Sequence, residues 1–184
     1  YRIANGGGSD VGQVTITVSN MVWFFDANAA NAGDGRLSTP FKAVASFVND
    51  GSSGRGNNGH SLYFFAGTYT TGLTLLRDQR VLGEGARATF AIISGLTLAP
   101  FSPTITTGGT RPVLSTTVGD IIRPGVNNYI RGLDLGSSGG TAIFGANFGT
   151  LTIRDVGIDA ATGDALYLNV GTLSGAFDSI TATA

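Results

Sequence analysis

The sequence predicts an all-β chain wound as a parallel β-helix of about 23 residues per coil, with one short N-terminal capping helix and an N-terminal β-hairpin. Three observations carry this. The chain repeats itself: Ile130-Arg131-Gly132-Leu133-Asp134-Leu135 matches Ile153-Arg154-Asp155-Val156-Gly157-Ile158 at an offset of 23, and Thr141-Ala142-Ile143-Phe144 matches Asp164-Ala165-Leu166-Tyr167 at the same offset. A third copy over 177–182 places Ile180 24 residues after Val156. The composition suits tight corners and a thin interior, with 29 Gly in 184 residues and only 12% charged residues. From His60 onward, every apolar run is short and bounded by Gly, Pro, Asn or Asp. Leucine-rich repeats share the period, but their leucine framework does not recur and no helical half follows each strand.

Taken in order, residues 1–20 read as a hairpin: a strand over 1–4, a Gly-rich turn over 5–10, then Val14, Ile16 and Val18 alternating with Thr15, Thr17 and Ser19. A lone two-stranded ribbon is marginal in water, so this unit must lean on the rest of the chain or on another molecule; its alternation is that of a β-sandwich strand pair whose other strands are missing, so it reads as the remnant of a preceding domain, and 21–184 as the β-helix proper. The apolar run over 21–26, with Trp23, Phe24 and Phe25, reads as a strand buried on both faces. A loop of small and oxygen-bearing residues follows. Thr39 then offers a cap and Pro40 a first turn for a helix over 40–49, with Phe41, Val44, Ala45 and Val48 on one face. Beyond a polar loop at 51–59, short strands are predicted over 61–65, 73–76, 80–82, 89–93, 96–98, 104–106, 113–115 and 121–123 before the periodic region begins. Residues 60–184 make roughly five coils at this period.

Charge and composition narrow the function classes. A net charge of −1 gives no pull toward phosphate backbones, so no nucleic-acid partner is expected. The absence of Cys removes thiolate chemistry and Cys-ligated zinc, and no apolar run reaches the ~18 residues of a membrane span. The chain opens on Tyr-Arg-Ile-Ala without a signal-peptide pattern, from which a removed or absent leader is expected.

Val22-Trp23-Phe24-Phe25-Asp26, Gly33-Asp34-Gly35, Thr39-Pro40-Phe41, Gly67-Thr68-Tyr69, Gln79-Arg80-Val81-Leu82-Gly83-Glu84-Gly85 and Tyr129-Ile130-Arg131-Gly132-Leu133 together resemble right-handed β-helix domains of the pectin-lyase-like superfamily. More closely, they are similar to the versions in very large bacterial secreted or surface proteins, where tandem immunoglobulin-like or cadherin-like domains precede the β-helix. The resemblance covers essentially the whole chain, and its motifs are structural, so it implies a fold more firmly than an activity. It implies an extracellular or cell-surface setting.

Many members of that superfamily are polysaccharide lyases or hydrolases. Were this chain enzymatic, Arg131, Asp134, Arg154 and Asp155 would carry the chemistry, with Asp120, Arg123 and Asp159 beside them. An Arg base needs a strongly depressed pKa and a glycosidase needs two carboxylates at a set separation, whereas outward residues pairing along a ladder need neither. Asp26, Asn28, Asn31 and Asp34 offer four side-chain oxygens for Ca²⁺, against the plainer reading as turn formers; no other cofactor is expected. His60 is the only His, so no His-based metal cluster can form in one chain, and it reads as exposed or satisfied by its turn. Gly83-Glu84-Gly85 reads as a corner, not a phosphate loop. Tyr63, Phe64, Phe65, Tyr69, Phe144, Phe148 and Tyr167 are expected to stack inside the coil or shield a groove, with an outward sugar-stacking stripe as the alternative.

The leading expectation is a non-catalytic structural or adhesive segment that self-associates through open β ends, with Val14, Ile16, Val18, Ile180 and Ala182 at the joins, possible as a head-to-tail fibre protomer, or that continues into flanking domains. The alternatives are a polysaccharide lyase or hydrolase and a carbohydrate-binding module.

Overall fold

A computed structural model describes residues 2–5, 8–11, 18–51, 55–160 and 162–182, the first two segments by backbone pairing alone. The chain is mostly β, with 40% strand and 5% helix, and its larger parallel sheet is curled. Strand pairing sorts into three parallel strips, each strand lying beside the one a turn later in sequence.

Strip A runs through β3 (Val22–Phe25), β4 (Ser61–Phe64), β7 (Arg80–Gly83) and β10 (Tyr129–Arg131) to the second halves of β12 (Thr141–Arg154) and β14 (Asp164–Gly175). Strip B holds β6 (Leu73–Thr74), β9 (Ile122–Arg123) and the first halves of β12 and β14. Strip C holds β5 (Thr68–Thr70), β8 (Val113–Ser115), β11 (Asp134–Leu135), β13 (Gly157–Ala160) and β15 (Ser179–Ala182). The sequence repeat is the register: Ile130 pairs with Ile153, Arg131 with Arg154, and Phe144 with Tyr167. In the last turn the offset is shorter than the sequence suggested, because Ile180 pairs with Ile158 rather than following Val156.

Inward side chains stack in columns along the strips. Leu62, Val81, Ile130 and Ile153 line strip A, Leu73, Ile122 and Ile143 strip B, and Leu114, Leu135 and Ile158 strip C, and all of them are buried in one core. A second cluster, Phe24, Tyr63, Leu82, Phe90 and Ile93, lies on the outer face of strip A, under an excursion over residues 84–112. Strands β3, β4 and β7 are therefore covered on both faces, which explains the unbroken apolar run at 22–25.

Several elements differ from the sequence reading. The helix expected over 40–49 is a single 3₁₀ turn, Val44–Ser46. Phe41, Val44 and Phe47 are the buried residues there, while Ala45 and Val48 face out. Spacing by three eclipses side chains onto one line, the 3₁₀ pattern rather than the α one. Residues 89–93, expected as a strand, form α1 (Phe90–Ser94), closed by Gly95 in the left-handed region. The stretches 96–98 and 104–106 are not strands. In the hairpin, β1 (Arg2–Asn5) pairs antiparallel with β2 (Gly8–Val11), so the second strand comes earlier than expected; Val14 and Ile16 lie outside the described residues.

The two ends of the stack differ. At the N-terminal end the outer edge of β3 is occupied: Phe24 N–H donates to Gly35 O, Phe41 N–H to Phe24 O, and Asp26 N–H to Phe41 O, each at 2.9 Å. Trp23, Phe25, Phe41 and Phe47 close the core beneath it as an aromatic plug, with Phe25 also stacked on Phe64 at 4.5 Å. Gly35 (φ 87°) lies so near this plug that a Cβ would fall within 2.8 Å of Trp23 Cε3 and closer still to Phe41. At the other end, among the described residues, β14 and β15 each pair on one side only. Among the described residues no helix is long and apolar enough to cross a membrane.

Candidate functional site

The corner between strips A and C gathers charged side chains from four separate segments. Asp155, in the left-handed region (φ 54°), follows β12 and is 8% exposed. Its carboxylate accepts Arg131 Nε (2.5 Å), Arg87 Nε (2.8 Å) and the Arg87 backbone N–H (3.0 Å). Arg87 Nη2 continues to Asp178 (2.7 and 2.8 Å), Arg111 donates to Asp178 as well, and Arg111 Nη1 reaches Asp134 at 3.0 Å. Arg87 and Arg111 belong to the 84–112 excursion, so the network latches that excursion onto successive turns of the stack.

Electrostatics follow from these contacts. Burial opposes charge on Asp155, but the hydrogen bonds from Arg131 and Arg87 outweigh it and hold the carboxyl below the ordinary carboxylate range. Asp178 is lowered in the same way by Arg111 and Arg87. Burial also opposes charge on Arg131, yet its bonds to Asp155 and Tyr129 raise its pKa. A guanidinium held in its charged form is the reverse of what proton abstraction needs.

No family model, curated protein or solved structure matches the chain. What the site does is therefore read from its own residues.

Of the four candidate catalytic residues, Arg131 and Asp155 form one ion pair, and Asp134 faces Arg111. Arg154 stacks next to Arg131 in register, but its Nη1 bonds its neighbour's carbonyl, Ile153 O at 3.0 Å. Asp120 bonds Arg123 at 2.7 Å, and Asp159 stands outside the network on strip C. Sequence reasoning missed Arg87, Arg111 and Asp178. Asp178 was readable, since it stands 23 residues after Asp155, one repeat. Arg111 was readable on the same ground, standing 23 residues before its partner Asp134, whereas Arg87 comes from an irregular segment whose spacing carries no signal.

Two of the Ca²⁺ candidates, Asp34 and Asn28, have side chains engaged in bonds within the protein. Asp34 takes the Thr39 hydroxyl at 2.5 Å and pairs with Arg36 at 3.3 Å, the Thr39 bond lowering its pKa first of all. Asn28 spends its amide on Ala66 O, and Asp26 accepts the Asn28 N–H, as an Asx turn does. Asp26 and Asn31 line a hollow of about 430 Å³ together with Phe65. Among the described residues no group of three His, Cys, Asp or Glu could hold a metal.

His60 is buried; its Nδ1 lies 3.1 Å from Trp23 Nε1 and 3.0 Å from Arg55 O, within its own turn. Tyr63, Phe64, Tyr69 and Phe148 are buried, and burial first of all raises the pKa of the Tyr63 and Tyr69 hydroxyls. Glu84 anchors the corner it was assigned to, accepting Ala66 N–H and the Thr106 hydroxyl. The outward column Arg123, Phe144, Tyr167 is stacked ring on ring at 4.8 Å and 8°. Phe144 is covered on both faces, by Arg123 and by Tyr167, which suits a ladder; the far face of Tyr167, on the open strand β14, has no rung beyond it among the described residues. Val18 is 66% exposed, Ile180 48% exposed, and Ala182 exposed on β15.

Proposed function

We propose that the chain is a non-catalytic structural or adhesive segment of a bacterial extracellular or cell-surface protein, wound as a right-handed parallel β-helix. The observation that carries the structural role is the contrast between the two ends. The N-terminal end is plugged by aromatics and its edge hydrogen bonds are taken, while Leu166, Leu173 and Ile180 at the other end, equivalent to buried residues one turn below, are partly or largely exposed. An edge of unpaired N–H and C=O groups beside exposed apolar side chains is a template for a further turn. That turn comes from following sequence or from a neighbouring copy. Because β3 is closed, a neighbour cannot join by stacking directly on it, and head-to-tail assembly would run through the hairpin segment at 1–20. The bacterial surface setting rests on the motif resemblance.

Sedimentation and electron microscopy of the isolated chain test this. Concentration-dependent end-to-end association is expected, weakened by deleting residues 1–20 if strand addition drives it. A particle that stays monomeric at every concentration removes self-association through this edge. Release of unsaturated oligosaccharides from polygalacturonate would overturn the non-catalytic reading.

A further inference from the structure

Two hollows on the outer face of strip A share Asp78 and Arg80. One, of about 290 Å³, is lined by these with Asn127, Asn128, Tyr129, Thr150 and Thr152. The other, of about 240 Å³, adds Asn20, Ser61 and the wall formed by Ser94, Gly95 and Leu96 at the end of α1. The register aligns Ser61, Arg80, Tyr129 and Thr152 in one outward column, so the two hollows form a single groove along the stack. Four rungs span three intervals of about 4.8 Å, on the order of 14 Å.

We propose that this groove binds a neutral oligosaccharide chain lying along the stack axis. Its lining is hydroxyl, amide and carboxylate, the donor and acceptor set that a polyhydroxylated chain requires. Asp78 projects from the corner in the left-handed region (φ 58°) and lines both hollows. Its carboxylate makes no hydrogen bond or ion pair within the described residues, so its acceptor capacity is available to sugar hydroxyls. Asn128, 2% exposed, lines the larger hollow and carries the only buried side-chain polar atom among the described residues without a partner, its Oδ1. A polar atom left short of a donor beneath a hollow is unusual.

Other ligand classes fit less well. Arg80 is the groove's one cation, and it is spent on Ile93 O at 3.0 Å and on the Tyr129 ring, 5.4 Å from the centroid, which disfavours acidic sugars and nucleic acid. A peptide needs apolar pockets for alternate side chains, and this lining offers little beyond Leu96 and a Tyr129 ring already covered by Arg80. Binding here goes beyond the structural role and does not rest on it: the groove runs over β4, β7, β10 and β12 on the outer face of strip A and ends one strand short of the open edge at β14.

The test is calorimetric titration of the full chain with neutral hexasaccharides of glucose, mannose and xylose, and with hexagalacturonate as the acidic control. One neutral probe should bind saturably. Asp78→Gly, which keeps the left-handed backbone while removing the carboxylate, should weaken it roughly tenfold, the effect of one lost charge-assisted hydrogen bond. Thr150→Ala should weaken it as well, and Asp159→Asn on strip C should not. Circular dichroism checks that each variant is folded. Absence of binding by every neutral probe overturns the proposal, as does preference for hexagalacturonate or binding indifferent to Asp78→Gly. End-to-end association is read separately, so either result leaves the structural role to be judged by sedimentation.

Discussion

Asp155 accepts three hydrogen bonds from two arginines while being almost fully buried, and this makes it the residue on which the strap over 84–112 depends. Asp155→Asn keeps a residue that tolerates the left-handed backbone but removes the charge, leaving Arg131, itself only 15% exposed, without its counter-ion. The expected loss is about 3 kcal/mol at neutral pH, at the lower end for breaking a buried pair because Arg87 is solvated. The folded-state pKa of Asp155 is depressed, so its contribution is complete above the unfolded value near about 3.9 and fades as pH falls through the lower folded value. Denaturant midpoints at stepped pH should therefore show the gap between wild type and variant closing in acid. A gap that stays constant would mean that shape rather than charge is responsible. Part of this was readable beforehand: Arg131 and Asp155 stood out because they belong to the repeated segments, and Arg111 stands one repeat before Asp134, but nothing in the spacing of Arg87 points across 68 residues to Asp155.

At the scale of elements, the repeat was legible wherever one strand lies directly on its copy, as Ile130 does on Ile153, because each inward position needs the same apolar shape. It failed where an insertion interrupts the rungs. The run Phe90, Ala91, Ile92, Ile93 has strand composition, yet it forms a helical turn whose Phe90 and Ile93 cover the outside of strip A, tertiary burial overriding β propensity; Gly95 was the overlooked stop signal. At 41–48 the period was mistaken, four for three. That error yields a prediction: Phe47→Ala should cost roughly 3–5 kcal/mol, the usual range for emptying a buried aromatic site, while Val48→Ala, at an exposed position, should change stability by less than about 0.5 kcal/mol. Thermal or denaturant unfolding of the pair decides it, and comparable losses would restore the α-helical reading.

For the whole molecule, the contrast between a plugged end and an open one implies a gradient of local stability. Amides in β14 and β15, supported from one side, should exchange with solvent well before those of β7 and β10, which are paired on both. Hydrogen exchange resolved by segment checks this, and uniform protection along the stack would contradict it. The same polarity bears on how the chain is made. Synthesis delivers the N-terminal region first, so the plugged rung can form while later residues are still on the ribosome, and each new turn finds a ready edge to zip onto. The bond from Arg87 to Asp178 spans 91 residues and waits for the segment before β15 to arrive. Until then the excursion that covers Tyr63 and Leu82 is held by packing and by its bonds to earlier turns, Arg111 to Asp134 and Arg87 to Asp155; the ion pair with Asp178 is a seal added once those turns have wound.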